Sequence, residues 1–296
     1  MFPGFDVHCQ LWYPSPVPML LAGLAIAAQE VNVQGDRSAV NLVLEPHPHT
    51  WGIYRTPLAL QLPQVDPAVL LVAFQSWIQA QIPDQAAQIQ SRVDRASGWI
   101  DIRVADVLQE FCLNQALQHP PRLQHLTLAS TLPAGRSLKA DPFWGFEWAY
   151  AHARCCSLLR LAQDHELFHR WSRSVCFPPA MRAQPDCAEG QILRSLCSFP
   201  LQFQRTYCAS QLRLVPSTAF WQQPLVLPWP ISRARALSQT WLRLFQQFYG
   251  QCRLFGLSER ETEDWLDCRI TLLHLLQQVL RVILVDLQQQ QAPEIL

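Results

Sequence analysis

The sequence predicts an α+β N-terminal domain followed by an all-α helix bundle. Three observations point there. Up to residue 117, helix-period segments interleave with short runs of β-formers bounded by turn residues. Beyond residue 142, apolar residues recur at helical steps over several long segments separated by Pro- or Gly-containing connections. Between them, 118–141 collects His119-Pro120-Pro121, Pro133-Ala-Gly135 and Lys139-Ala-Asp141, the composition of a linker with one short strand at Leu126–Leu128. A chain of 296 residues is long enough for two such domains.

In the first domain, 1–117, residues 1–16 are rich in Pro and aromatics and read as an irregular lead-in. Met19–Val31 is Ala/Leu-rich and reads as a helix. Val40–Leu44 and Trp51–Tyr54 carry β-formers and are expected as strands, with Pro46-His47-Pro48-His49 as the loop between them. Pro67–Ile82 is expected as a helix capped by Asp66, with Val69, Leu70, Ala73, Phe74, Trp77 and Ile78 on one stripe. Ala86–Val93 and Trp99–Val104 are expected strands joined by a turn at Asp94–Gly98, and Val104–Leu117 continues as a helix.

The bundle, 142–296, opens on Trp148–Ala162, where Trp148, Ala151, Cys155, Leu158, Leu159 and Ala162 mark a buried stripe. Tyr150, Arg154, Ser157 and Arg160 follow one another on a neighbouring face. Asp164–Val175 reads as a second helix with a basic-aromatic edge, and Cys176–Asp186 as a Pro-rich loop. Ala188–Cys197 and Leu201–Leu214 are expected helices, 215–230 a Trp- and Pro-bearing connection, and Ile231–Gly250 another helix. The last helix, about Glu259–Gln290, follows a capping box of Ser258 and Glu261 and is apolar on two faces, which suits the inside of a bundle. Its Arg269, Gln277, Gln278 and Arg281 argue against a membrane span.

Charge narrows the partners. Lys+Arg and Asp+Glu balance at 23 each, with 8 basic and 10 acidic residues to position 140, then 15 and 13. Such a chain has no global field for nonspecific RNA binding, although a local patch could still dock RNA. Lys139 is the single lysine, so arginine supplies nearly all the positive charge. The ten cysteines form no Cys-x-x-Cys pair and indicate a reducing cytosol rather than a disulfide scaffold or a zinc ribbon. His152 with Cys156, and His47 with His49, have spacings that could share a metal, but a buried helix face and a Pro-rich loop explain them more simply. No metal and no cofactor are expected. The apolar run Val17–Ala28 lacks a basic flank and is too short to span a bilayer.

Three strings carry a resemblance. Tyr150-Ala-His-Ala-Arg154-Cys-Cys-Ser-Leu-Leu-Arg160 is similar to the opening of the DALR anticodon-binding domain of arginyl-tRNA synthetase. Phe245-Gln-Gln-Phe248-Tyr249-Gly-Gln-Cys252-Arg253-Leu-Phe-Gly256 resembles that domain's Phe-x-x-Phe-Tyr-x-x-Cys run, and Gln278-Val-Leu280 with Ala292-Pro-Glu-Ile-Leu296 resembles its end. Ile295 stands where the family has a basic residue, and Gln288–Gln291 where it has a Leu-Gly turn. In the first domain, Gly98-Trp-Ile-Asp-Ile-Arg103-Val and Tyr54-Arg55-Thr56-Pro57 resemble, less closely, the family's N-terminal additional domain. The catalytic domain that stands between the two in the synthetase is missing, together with its His-x-Gly-His motif. Its two-lysine loop cannot exist with one lysine.

The resemblance implies a stand-alone, non-catalytic tRNA-binding protein, a synthetase paralogue acting in translation, that holds the anticodon arm with the bundle and the tRNA body with the first domain. The partner implied is tRNA, tRNA-Arg by analogy, with a separate tRNA-acting enzyme as a further candidate. In that reading Tyr150 and Tyr249 stack on loop bases. His152 sits in the same motif, Arg154, Arg160, Arg243 and Arg253 hold phosphates or base edges, and Tyr54, Arg55, Trp99 and Arg103 meet the tRNA body. The alternative is a protein-interaction module or accessory subunit that keeps the bundle without independent RNA binding; near-neutral charge favours it.

Overall fold

The computed structural model of the chain describes residues 8–32, 40–48, 50–126, 142–165, 176–184, 187–203, 207–208, 212, 225–228, 231–252, 254, 263–287 and 292–293. In chain order the elements are β1 (His8–Trp12), α1 (Val17–Val31), β2 (Asn41–Leu42), β3 (Glu45–Pro46), β4 (Ile53–Thr56), α2 (Leu58–Gln61) and α3 (Pro67–Gln81). Then come β5 (Ile89–Val93), β6 (Ile100–Val104), α4 (Asp106–Gln118), β7 (Arg122–Leu126), α5 (Pro142–Asp164), α6 (Pro179–Ala183) and α7 (Ala188–Cys197). Last are α8 (Phe199–Gln202), β8 (Tyr207–Cys208), β9 (Leu225–Pro228), α9 (Ile231–Gln251) and α10 (Glu263–Arg281), which passes into a π-helical stretch at Val282–Leu287.

These elements form two compact units, each discontinuous in sequence. One comprises Trp12–Gln115 with Cys197–Val226; the other comprises Met1–Leu11, Ala116–Leu196 and Leu227–Leu296. The mixed α+β character of the N-terminal region is present.

The first unit is built on an antiparallel sheet of order β3-β4-β6-β5. Tyr54 pairs with Ile102 and Arg55 with Asp101, while Ile89 pairs with Val104 and Val93 with Ile100. The side-chain period of two then sends Tyr54, Thr56, Ile100, Ile102 and Val104 to the buried face and Arg55, Asp101 and Arg103 to the other. Gly98 closes the β5–β6 turn at φ +72°, a conformation that costs other residues energy. Helix α3 starts on Pro67 after Asp66, whose carboxylate accepts the Ala68 N–H at 2.9 Å. Leu70, Phe74 and Ile78 are its buried stripe, whereas Val69, expected on that stripe, is 52% exposed because it sits a turn-fraction off the i, i+4 row. Helix α1 packs on α3 through Gly23; a Cβ there would lie 2.7 Å from Trp77 Cε3.

The segment Cys197–Val226 belongs to this unit through specific contacts. Cys197 O accepts from Ser15 Oγ at 3.4 Å and from Tyr54 Oη at 3.4 Å, Phe199 meets Tyr13 with ring centroids 5.0 Å apart, and β8 pairs antiparallel with β2. The contiguous division at 117 and 142 therefore misses one return of the chain. No local pattern encodes it, because its contacts lie up to 182 residues away in sequence.

In the second unit α5, α9 and α10 form the helical core. Trp148, Ala151, Cys155, Leu158 and Ala162 are buried on α5, as the periodicity predicts. Trp241, Phe245 and Phe248 are buried on α9. On α10, Ile270, Leu272, Leu273, Leu275, Leu276, Val279 and Leu280 are all buried, so the helix is apolar round most of its circumference. Residues 264–285 are long and apolar enough, by length and composition, to cross a membrane, and 78% of their apolar 18-residue window is buried inside the protein. Arg269 of α10 is buried beside Glu189 of α7, Nε to Oε1 2.8 Å. Strands β7, β1 and β9 form a three-stranded sheet in that order.

Several expected elements differ. The lead-in contains strand β1, since pairing with β7 and β9 supplies ladder partners that so short a run does not advertise. The helix expected over Leu201–Leu214 ends at Gln202, and Tyr207–Cys208 is strand, because pairing with β2 overrides a weak helical period. The Pro-rich loop contains the short helix α6, which Pro179 opens at its first position. The strand expected at Leu126–Leu128 begins earlier, at Arg122. Of the helix expected over Asp164–Val175, Asp164 ends α5 and residues 166–175 lie outside the described residues, as does the Ser258–Glu261 capping box.

Two stability measurements check this packing. Gly23→Val should drive a side chain into the Trp77 ring and cost about 2–3 kcal/mol in urea unfolding. Glu189→Gln should cost about 3–5 kcal/mol, because it leaves the Arg269 charge buried without its counter-ion. Replacing Glu189 and Arg269 together with Met should restore most of that loss.

Candidate nucleic-acid interface

An i, i+4 row on α5 runs Phe146, Tyr150, Arg154 along its exposed side. Phe146 is 67% exposed and Tyr150 40%, and their rings stack at 6.4 Å with 28° between planes. Arg154 Nε and Nη2 both donate to Tyr249 Oη, at 3.1 and 2.7 Å. Tyr249 reaches across from α9, is 42% exposed, and stacks on buried Phe245 at 5.8 Å and 15°. The Arg154 guanidinium carbon is 5.1 Å from the Tyr249 ring centre. The paired hydrogen bonds place it at the hydroxyl end, so they, more than the ring face, hold it. The result is an exposed ladder of aromatic and guanidinium planes joining two helices.

Of the bundle residues singled out from sequence, the fold brings together Tyr150, Arg154 and Tyr249. Arg160 is exposed, but six residues along α5 it lies about 240° round the helix from Arg154. Arg243 is exposed on α9, with its Nε donating to Gln239 O at 3.4 Å. Arg253 lies outside the described residues. Phe146 was not foreseen, although its position four residues before Tyr150 is the signal that finds it.

His152 does not face outward. It is 2% exposed, and its Nδ1 lies 2.8 Å from Pro293 O. A carbonyl only accepts, so Nδ1 carries the proton, and Nε2 accepts from Gln277 Nε2 at 2.7 Å. Cys156 Sγ lies 3.8 Å from His152 Nδ1 and 3.7 Å from Gln277 Nε2. With both ring nitrogens engaged, His152 ties α5, α10 and residue 293 together. As a nucleic-acid contact it is corrected to a buried structural group, because the apolar stripe of α5 carries it inward.

The first unit divides its expected residues the same way. Tyr54 is 2% exposed, with its hydroxyl 3.1 Å from Gln109 Nε2, so it cannot stack on a base. Arg55 is held by two carboxylates, Nε to Asp101 Oδ1 at 2.9 Å and Nη2 to Asp94 Oδ2 at 3.2 Å, with its guanidinium 5.4 Å from the half-buried Trp99 ring. Hydrogen bonds from Ser97 Oγ and the Ala96 N–H, with Arg55 nearby, hold the Asp94 carboxyl below the usual carboxylate range. Arg55 is thus already neutralised and offers a phosphate little. Arg103 is exposed on the same sheet face.

A cleft of about 680 Å³ lies on the inner side of α5. It is lined by Pro120, Pro121, Arg122 and Leu123, by His152, and by His274, Gln277, Gln278, Arg281, Val282 and Val285 of α10 and its extension. Spacings of three and four make the α10 residues one stripe. Gln278 Nε2 donates to His274 Nε2 at 3.2 Å, and burial pushes His274 down to about 4, so the ring is neutral at pH 7. The sequence marked Gln277, Gln278 and Arg281 only as polar residues that argue against a membrane span.

No family model, no curated protein and no solved structure matches the chain. The protein's function must be read from its own residues. Among the described residues no three His, Cys, Asp or Glu side chains gather as a metal site. Burial pushes the thiols of Cys155 and Cys197 well up, which keeps them protonated and poor nucleophiles.

His274 gives a pH prediction. Its folded pKa, about 4, lies below the ordinary 6.5 of an unfolded chain. The stability it contributes is present above pH 6.5 and is lost as pH falls through 6.5 toward 4. Unfolding free energy should drop by roughly 2 kcal/mol between pH 7 and pH 5 from this group. A His274→Asn variant should lose that component in denaturant titrations at the two pH values.

Proposed function

We propose that the protein is a non-catalytic RNA-binding protein that docks single-stranded tRNA loops on the α5–α9 face. The observation that carries the reading is the exposed ladder Phe146–Tyr150–Arg154–Tyr249. Unstacked bases find flat aromatic and guanidinium surfaces there, worth about 1–3 kcal/mol per stacked base. Arg154 has donors to spare for phosphate or base edges after its contacts to Tyr249. The likeness of residues 150–160 and 245–256 to the DALR anticodon-binding domain supports tRNA as the RNA, and tRNA-Arg as the first to try. The first domain enters this reading through Arg103, with Trp99 and an Arg55 already neutralised by Asp94 and Asp101 in the same unit. A separate tRNA-acting enzyme is the partner that would give a non-catalytic binder its use.

A second reading has the same ladder docking a protein. It is favoured by the apolar side chains left outside, Phe146 and the 41% exposed Leu161, and by the zero formal net charge.

Filter binding to total tRNA across a salt series separates the two. Binding should weaken steeply between about 50 and 200 mM salt, with a slope set by the few phosphates contacted. Tyr150→Ala combined with Arg154→Ala should weaken binding about 10- to 100-fold while the thermal melt stays unchanged. No tRNA binding at low salt sinks the RNA reading and leaves the protein-docking one.

A further inference from the structure

The cleft beneath α5 has the chemistry of a site for a small anion that also carries a hydrogen-bond donor. Among the described residues its lining holds two guanidinium groups, Arg122 and Arg281, and no carboxylate. Both arginines are exposed, and neither has an ion-pair or hydrogen-bond partner among the described residues. At the polar wall, Gln277 and Gln278 spend their amide nitrogens on His152 and His274. Their carbonyl oxygens are left over; Gln278 Oε1 is buried without a partner among the described residues, on a side chain 94% buried by the residue's 6% exposure. Such an acceptor is costly unless something donates to it. The remaining lining, Pro120, Pro121, Val282, Val285 and Ala292, is flat and apolar.

We propose that this cleft binds a free nucleoside monophosphate bearing an exocyclic amino group. The phosphate sits between Arg122 and Arg281, the amino group donates to the carbonyl oxygens of Gln277 and Gln278, and the ring lies against Pro120 and Val282. The volume, about 680 Å³, falls in the usual range for small-molecule sites, and an inorganic ion would leave most of it empty. The anion has two positive groups to meet and the amide oxygens gain donors. His274 stays neutral by burial, and both imidazoles hold the amide nitrogens, which orients the two amides. The site does not depend on the RNA reading: His152 and Arg154 are two residues apart, about 200° round α5, so the cleft and the ladder use opposite sides of that helix.

Titration calorimetry of the full chain with AMP, CMP, IMP, adenosine and inorganic phosphate tests it. AMP or CMP should bind saturably at one site, with IMP, adenosine and phosphate each roughly tenfold weaker or worse. Arg281→Ala and Arg122→Ala should each weaken the nucleotide roughly tenfold or more with an unchanged melt, and Arg281→Lys should recover part of it. Tyr150→Ala with Arg154→Ala should leave nucleotide binding as it was. Three results overturn the proposal: no saturable heat from AMP or CMP at about 10 mM ligand, beyond a millimolar dissociation constant; inorganic phosphate binding as well as the nucleotide; or nucleotide binding indifferent to both arginines. If Arg281→Ala removes tRNA binding along with AMP, the cleft holds a nucleotide of RNA, and the free ligand is ruled out.

Discussion

Helix α10 has to be enclosed. Its leucines, isoleucine and valines are buried round most of the helix, and even Arg269 is taken inside with Glu189 as its counter-ion. Each large aliphatic side chain buried contributes about 1.5–3 kcal/mol, so the surrounding helices are arranged by that demand. Helix α5 answers it with a stripe of small residues, Ala151, Cys155 and Ala162, which allow close approach. What remains of the α10 circumference is the stripe His274, Gln277, Gln278 and Arg281, which opens on the cleft. The bundle's core and its polar cleft are thus two sides of one helix.

The same economy governs charge. With equal numbers of acidic and basic residues, many arginines are committed internally. Arg269 is buried with Glu189, and Arg55 is shared by Asp94 and Asp101. Arg154 is used differently: its hydrogen bonds go to a neutral phenol, which fixes its position without cancelling its charge. Arg122 and Arg281 are exposed and uncommitted among the described residues. The recognition proposed for this protein rests on a few placed guanidinium groups and planar side chains, in keeping with its lack of a global positive field.

The helix periods of α1, α3, α4, α5, α7 and α9 were legible, as were the Asp66 cap and the β5–β6 turn, because each is set by residues within a few positions of one another. Three of the expected contact residues, Tyr150, Arg154 and Tyr249, do come together. Tyr54 and His152 were legible as special and were assigned to RNA contact, although the helix face of His152 already allowed a buried reading. Both occupy inward positions of their elements, Tyr54 by the period of two on β4 and His152 beside the Ala151–Cys155 stripe on α5. A polar tip on an inward residue signals a buried hydrogen bond as readily as a ligand contact.

The sequence by itself determined the long helices, the strands around the Asp94–Gly98 turn and most of their apolar faces, since those follow from local sterics and from the spacing of side chains along one element. Only the tertiary structure decided that Cys197–Val226 returns to the first unit, that Asp94 and Asp101 neutralise Arg55, and that Tyr249 meets Arg154 across 95 residues. It also decided that an i, i+3, i+4 stripe of polar residues on the largely buried helix α10 faces a cleft and not another helix. Those outcomes rest on pairs of groups far apart in the chain, whose meeting depends on how every buried surface is satisfied at once.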